Sequence, residues 1–545
     1  MAYLNDFAKN SIEKREAAKD ELATSKNETT IVGTNDNSIS NYTINTANKS
    51  SNDINTKEIH STAGPKYLLQ NILKTLHNVD LIATLTDDIG DDLVKYRVKV
   101  IDANGDEYSE VDPKKIPRAL LVVAITEELK KFATNNGWDI VQQDGMLYLY
   151  NGTYWIKIKE DDLKNFLSDA AIKLGYYSPA DAMTHNFQEI SFKQFTTSSY
   201  LPAPEIDKSK VLINLKNGTY EVTESGGILR EHRKEDFLTY CLPFSYDPKA
   251  TAPLFKTYLN KVLPDISAQI VLQDFHGYIF TKDLKLEKAL ILYGGGQNGK
   301  SVQFEITSAL LGEHNVSTKS LGDLVNNDSG NDNRAKLKDK LVNYGSEISS
   351  KSMDIDMFKR LVSGEPVAAR EKYKTSFDLR NNCKFMFNAN KLPSNIEHTE
   401  AYFRRFLIIP YNQRISDEEK DPELHLKIIA NELPGILNWA IIGLNRILKA
   451  KKFSECRVAK EALDRYKKES NSVAMMIEEK GYIKKSDDKT YRIPIASLYN
   501  KYVEYCKESG LKHLNKNNFS KELKALEFKS YRTGSERGFL MAKAE

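Results

Sequence analysis

Residues 294–301 read Gly-Gly-Gly-Gln-Asn-Gly-Lys-Ser and fill every fixed position of the G-x-x-x-x-G-K-[ST] phosphate loop. Each residue type answers to a chemical need. Gly294, Gly295, Gly296 and Gly299, with Gln297 and Asn298 between them, let backbone N–H groups curl around phosphate oxygens. Lys300 brings a point charge to the β- and γ-phosphates, and the Ser301 hydroxyl can ligate Mg²⁺. The pattern predicts that a nucleoside triphosphate is bound and hydrolysed there. Downstream, Lys340–Glu347 reads as a strand ending on an acid, and Glu347 could hold Mg²⁺ and polarise an attacking water. Residues 364–379 suggest a hairpin with Arg370, Lys372, Tyr373 and Lys374 near its tip. Lysine meets phosphate and tyrosine stacks on bases, a pairing suited to single-stranded nucleic acid. Asn390 follows the apolar strand Phe385–Phe387, where a polar side chain can orient the lytic water. Arg404 and Arg405 precede another apolar strand, and arginine at a γ-phosphate stabilises the phosphoryl-transfer transition state. If that arginine serves a neighbour's nucleotide, the active unit is an oligomer.

These residues need a scaffold, and the chain supplies one. Ala289–Tyr293 reads as a buried strand ahead of the loop, and Val302–Ile306 as the start of a helix behind it. Apolar and polar blocks then alternate to about residue 412, as in an α/β ATPase core (286–412). Helical periodicity over 251–285 suggests a collar used in oligomerisation. Leu437, Ala440, Ile441, Leu444 and Leu448, with Pro434 just ahead, suggest a helical lid within 413–455. Residues 456–545 read as helix, helix and β-wing, a winged-helix pattern. Residues 66–250 read as a mixed α/β domain with hairpins around Asn151-Gly152 and Asn217-Gly218. Ahead of it, 1–65 reads as a short polar helix and a disordered Asn/Ser/Thr-rich linker.

Charge divides unevenly. The net formal charge is +3, yet residues 451–545 carry 22 Lys/Arg against 14 Asp/Glu. Lys516, Lys521 and Lys524 fall on or beside the second helix of the C-terminal pattern, and Arg532 and Arg537 flank Gly534 in its wing. This end is expected to meet a polyanion such as origin duplex DNA. Cys241, Cys383, Cys456 and Cys506 lie far apart without a CxxC pair, which argues against a zinc site or disulfide framework. Neither a signal-peptide pattern nor an apolar run long enough to span a bilayer is present, so a cytoplasmic protein is expected.

The ordered set, from phosphate loop to arginine doublet, resembles the superfamily 3 helicases, most closely the phage, plasmid and poxvirus helicase–primase branch. By that resemblance Gly294–Ser301 is the Walker A motif and Glu347 the Walker B acid. Lys372-Tyr373-Lys374 corresponds to the DNA-tracking hairpin, and Asn390 to the sensor asparagine. Arg405 corresponds to the arginine finger, with Arg404 as the fallback. The resemblance implies an AAA+-type ATPase that forms a homo-hexameric ring and travels 3′→5′ along one strand of forked DNA. Two departures stand out. Ser346 occupies the place of a second Walker B acid, leaving Asp354 or Asp356 as contributors. No primase constellation precedes residue 120, so a separate primase or polymerase is expected. The alternative is an origin-binding ATPase or helicase loader that does not unwind.

Overall fold

The computed structural model describes residues 64–200, 207, 209–224, 226–345, 348, 354–372, 374–393, 399–485, 490–534 and 536–544. The expected helix and linker over 1–63 lie outside them. The described chain falls into two compact units, one formed by residues 64–205 with 232–239, the other by 206–231 with 240–545. The division falls inside the expected 66–250 domain. The antiparallel sheet Lys210–Leu215, Gly218–Thr223 and Gly226–Arg230 belongs to the second unit.

In the first unit, helices including Arg118–Asn136, Glu160–Lys173 and His185–Ser198 share one apolar core with the sheet Asp139–Ile158. Its hairpin turns through four residues, not two. Asn151 Oδ1 accepts from the N–H groups of Thr153 and Tyr154, an Asx-type turn that replaces the tight Asn-Gly turn. In the second unit the corresponding turn is tight, with Leu215 opposite Gly218 and Lys216-Asn217 as its loop. There Asn217 binds the Tyr246 backbone through both ends of its amide.

The second unit is built on a five-stranded, wholly parallel sheet. Its order is Val316–Ser317, Val342–Gly345, Lys384–Ala389, Ala289–Tyr293, Phe406–Pro410. We refer to the last four as the acid, sensor, loop and arginine strands. Leu290, Ile291 and Leu292 of the loop strand are fully buried, as expected for a parallel strand covered on both faces. Helix Lys300–Leu311 follows the loop strand, and helices Pro253–Val262 and Ile266–Ile279 precede it.

Two sequence expectations change here. The proposed collar is not a separate module: Val271 to Ile279 are buried throughout, and Ile266–Ile279 packs along Leu424–Ala450. The expected lid is that same Leu424–Ala450 helix. It runs 27 residues with Pro434 inside it and buries its apolar stripe against the core helices. The approach is close enough to require glycine on both sides. A Cβ on Gly277 would lie 2.3 Å from Leu444 N, and one on Gly443 would lie 2.2 Å from Gln273 O. Polar pins fix the pairing: buried Glu432 accepts from the N–H groups of Leu254 and Phe255, and buried Asp274 pairs with Arg446. Helix Arg457–Glu469 also belongs to this core, since buried Tyr466 packs on Phe403 and Phe406 and donates to Pro393 O at 2.8 Å.

The C-terminal module thus begins near Ser472, not at 456. Helices Ser472–Glu479, Ile495–Glu508 and Lys516–Ala525 enclose a core of Leu498, Tyr502, Phe519 and Phe539. Strand Arg537–Lys543 pairs with Tyr482–Lys484, Arg492–Pro494 and Ser530–Arg532. The two expected helices and the terminal hairpin are all present. The short strands at 482 and 492 carried too little periodicity to be read.

Candidate nucleotide site and nucleic-acid surfaces

The phosphate loop leaves the carboxyl end of the loop strand, the edge of a parallel sheet where ligands ordinarily bind. Gly299, with φ of 85°, turns the chain into helix Lys300–Leu311. The side chain of Lys300 is buried. Its Nζ donates to Gly294 O at 2.7 Å, Gly295 O at 2.9 Å and Asn298 Oδ1 at 3.0 Å, and burial lowers its pKa. The loop is braced from two sides. Tyr258 Oη donates to Gly299 O at 2.9 Å, and Asn298 Nδ2 donates to Tyr411 O at 2.9 Å. Neither brace was read from the sequence, because both come from residues remote in the chain.

The same edge gathers the other candidates. The acid strand ends at Gly345, two residues short of Glu347. Glu347 and Tyr373 lie outside the described residues. Asn390 is exposed just beyond the sensor strand. Sequence reasoning missed Asn388 beside it, a buried residue that accepts from Tyr344 Oη at 3.0 Å and reaches Lys300 O at 3.5 Å. It links the acid strand, the sensor strand and the phosphate-loop helix.

The arginine doublet sits at the other edge. Phe406 pairs with Ala289, so Arg404 and Arg405 stand at the amino ends of the strands. Five residues at ~3.3 Å each put them roughly 16 Å from the phosphate loop, beyond the reach of an arginine side chain. The two side chains differ sharply. Arg405 is 8% exposed, with Nη1 donating to Ala401 O and Nη2 donating to Ser363 Oγ at 2.9 Å. Arg404 is 60% exposed, with only a 3.9 Å approach to Glu287. Arg405, the expected first choice, is thus held inside the fold, and Arg404, the fallback, is the arginine of the doublet on the surface.

Strands Val367–Arg370 and Ser376–Leu379 form the expected hairpin, with Lys372 and Lys374 exposed at its tip. Arg370 approaches Asp332 at 3.5 Å, and Lys374 pairs with Glu371 at 2.9 Å. The hairpin base is held by buried Arg334, which donates to Ala368 O at 2.9 Å and Leu324 O at 2.8 Å. In the C-terminal module Lys521 and Lys524 are exposed on helix Lys516–Ala525, whereas Lys516 is partly buried at its first turn. Arg532 and Arg537 are exposed and face each other directly across the terminal hairpin. Like charges directly opposite repel, a placement that an anion would relieve. Among the described residues no helix is long and apolar enough to cross a membrane, and no cluster of three or more His, Cys, Asp or Glu is arranged to hold a metal.

With this geometry in place, comparison with known proteins is informative. Residues 129–264 match the family described as "D5 N terminal like", and residues 468–543 match "Poxvirus D5 protein-like". Two segments of the chain are D5-like. Between them, residues 292–405 match a family of unknown function, DUF5906, which runs from the loop strand to the arginine doublet. The chain is 23% identical over 251 residues to "Putative helicase L207/L206" of Acanthamoeba polyphaga mimivirus, covering 45% of this chain and 26% of that protein. It is also 23% identical over 237 residues to "Putative helicase 121R" of Invertebrate iridescent virus 3, covering 40% and 24%. The chain therefore spans about a quarter of the length of these helicase-named relatives. Among solved structures, the apo C-terminal region of NrS-1 aligns with 77% of this chain and 99% of its own, at 14% identity and a TM-score of 0.42.

Proposed function

We propose that this chain is an ATP-driven replicative DNA helicase of superfamily 3, with an AAA+-type core, acting as a hexameric ring that moves 3′→5′ on single-stranded DNA. One observation carries the reading: the chain's catalytic candidates are split between opposite edges of one parallel sheet. The phosphate loop, Asn388, Asn390 and the strand leading to Glu347 share the carboxyl edge. The one exposed arginine of the doublet stands at the amino edge. An arginine placed there can serve only a neighbouring subunit's nucleotide, so each site is completed by the next copy. Ser301 and Glu347 would hold Mg²⁺, which offsets charge on the phosphates during transfer. Asn390 would orient the attacking water, and Arg404 would meet the γ-phosphate from the adjacent copy. The basic hairpin at 370–374 would grip the strand in the channel, and the C-terminal module would dock duplex through its helix and wing. The D5-like segments and the helicase-named viral relatives support this assignment.

The test is strand displacement on forked DNA bearing a 3′ or a 5′ tail, with ATP and without. Unwinding that needs ATP and a 3′ tail is expected. ATP-dependent duplex binding without displacement of either fork would instead identify a loader or origin-binding ATPase.

A further inference from the structure

The segment that follows the arginine strand ties back onto the phosphate loop at a single residue. Ile415 N donates to Gln297 O at 2.8 Å, and Arg414 Nε donates to Gln297 Oε1 at 3.3 Å. Gln297 has φ of 59°, the left-handed region that a non-glycine residue enters at a cost of ~1–2 kcal/mol. A loop already holding four glycines could have placed a fifth there without strain. Glutamine at this position instead brings an amide oxygen to the guanidinium. Between residues 295–298 and residues 411–414 lies a cleft of about 580 Å³, within the range of small-molecule sites. Its lining carries one cation, Arg414, and no acid. Arg414 is exposed, and among the described residues its sole hydrogen bond is to that neutral amide.

A guanidinium paired with a neutral oxygen, on the wall of a cleft whose other wall is a phosphate loop, holds unspent charge. We propose that Arg414 is a second cation for the nucleoside triphosphate, acting within the same subunit and contacting its phosphate chain. The proposal rests on the nucleotide reading above and assigns a residue that the phosphate-loop pattern does not include. A phosphate oxygen carries formal charge, so it outcompetes the Gln297 amide for a charge-assisted bond. Transfer of Arg414 from Gln297 to phosphate would pull on the segment 411–415, which also holds Asn298 through Tyr411 O. Nucleotide arrival would thereby be registered in the loop.

The experiment compares ATP, ADP and AMP binding, with GTP as a base control, to the full chain, as wild type, Arg414→Gln, Arg414→Lys and Lys300→Ala. Arg414 is a surface residue whose one bond is to another surface side chain, so its replacement should leave the fold intact, which a thermal melt checks. Arg414→Gln should weaken ATP about tenfold, ADP less and AMP least, the order of their phosphate charge, with Arg414→Lys recovering part of the loss. Unchanged affinity in Arg414→Gln, beside weakened binding in Lys300→Ala, overturns the role of Arg414 and leaves the nucleotide reading standing. Equal weakening of all three nucleotides with an altered ATP-to-GTP preference also overturns it, since Arg414 would then read the base. Absence of ATP binding by the wild-type chain removes both readings.

Discussion

Replacing Lys384 by methionine should stabilise the protein at neutral pH. Lys384 opens the sensor strand and is 8% exposed. Its Nζ lies 4.3 Å from the centroid of the Tyr278 ring, and among the described residues it makes no ion pair. Burial lowers its pKa from 10.5 to about 8. At ~1.36 kcal/mol per pH unit, holding that charge inside costs about 3 kcal/mol, and the cation–π contact offsets ~1–2 of these. Methionine keeps the length and replaces the ammonium with a thioether suited to an aromatic neighbour. The expected gain is ~1–3 kcal/mol at pH 7. The sign with pH follows from linkage. Below pH 8 both folded and unfolded chains hold the proton, and the penalty is complete. Between pH 8 and 10.5 the unfolded chain binds more protons, so wild-type stability rises relative to the variant. Above 10.5 the penalty is gone. Trp439 lies in the second unit while Trp138 and Trp155 lie in the first. Denaturant unfolding read by Trp439 fluorescence, in a Trp138→Phe, Trp155→Phe background, isolates the relevant unit. A variant less stable than wild type at pH 7, or a difference that stays constant from pH 8 to 10.5, would refute the reasoning.

The remaining predictions concern the site and its supports. Lys300→Ala should abolish ATP turnover in a folded protein, because the phosphates lose their point charge; a steady-state ATPase assay decides it. Arg404→Ala should cut turnover by on the order of 10³ with nucleotide binding retained, and mixing it with Lys300→Ala subunits should restore part of the activity. Arg405→Ala should instead lower the melting temperature, costing ~2 kcal/mol by leaving buried acceptors unpaired. Buried His276 has its pKa lowered to about 4 by desolvation. The unfolded chain therefore takes up the proton first as pH falls, and stability should drop by ~3 kcal/mol between pH 6.5 and 4, a limb that His276→Gln removes from a pH-dependent melt. Truncation after Ser470 should weaken duplex binding and flatten its salt dependence while single-strand-stimulated ATPase survives.

That truncation point shows where the sequence was legible and where it was not. The basic composition begins at residue 451, which by charge alone would place a truncation after Lys452. It would remove Tyr466, whose ring packs on Phe403 and Phe406 and whose hydroxyl bonds Pro393 O. Helix Arg457–Glu469 is strongly charged with few apolar positions, so its composition reads as surface although one face is core. The phosphate loop, its flanking strand and helix, the basic hairpin and the C-terminal hairpin were readable because each is local: spacing, turn residues and periodicity specify them within a few residues. The expected collar and lid are helical, and they pack on each other. Periodicity identifies an apolar face without naming what covers it, and here each helix covers the other through Gly277 and Gly443.

The arginine doublet shows the same limit at the level of single side chains. Two adjacent arginines ahead of an apolar strand are equivalent as letters, and only the family resemblance favours Arg405. What separates them is the turn between helix Glu400–Phe403 and the arginine strand, where Arg404 caps the helix and Arg405 is the last residue before the strand. Arg405 turns inward, where Ala401 O and Ser363 Oγ accept from its two terminal nitrogens and the Glu287 carboxylate lies 3.5 Å away, partners that offset part of the cost of burying a guanidinium. Arg404 is exposed at the end of that helix. A finger must cross to a second subunit and change partners during each turnover, so an arginine with two internal acceptors is poorly suited and an exposed one is free to act. The mixed-subunit experiment therefore tests more than one residue's role. Activity restored by combining Arg404→Ala with Lys300→Ala chains requires that the carboxyl edge of one sheet face the amino edge of the next, which is the packing a ring of identical subunits imposes.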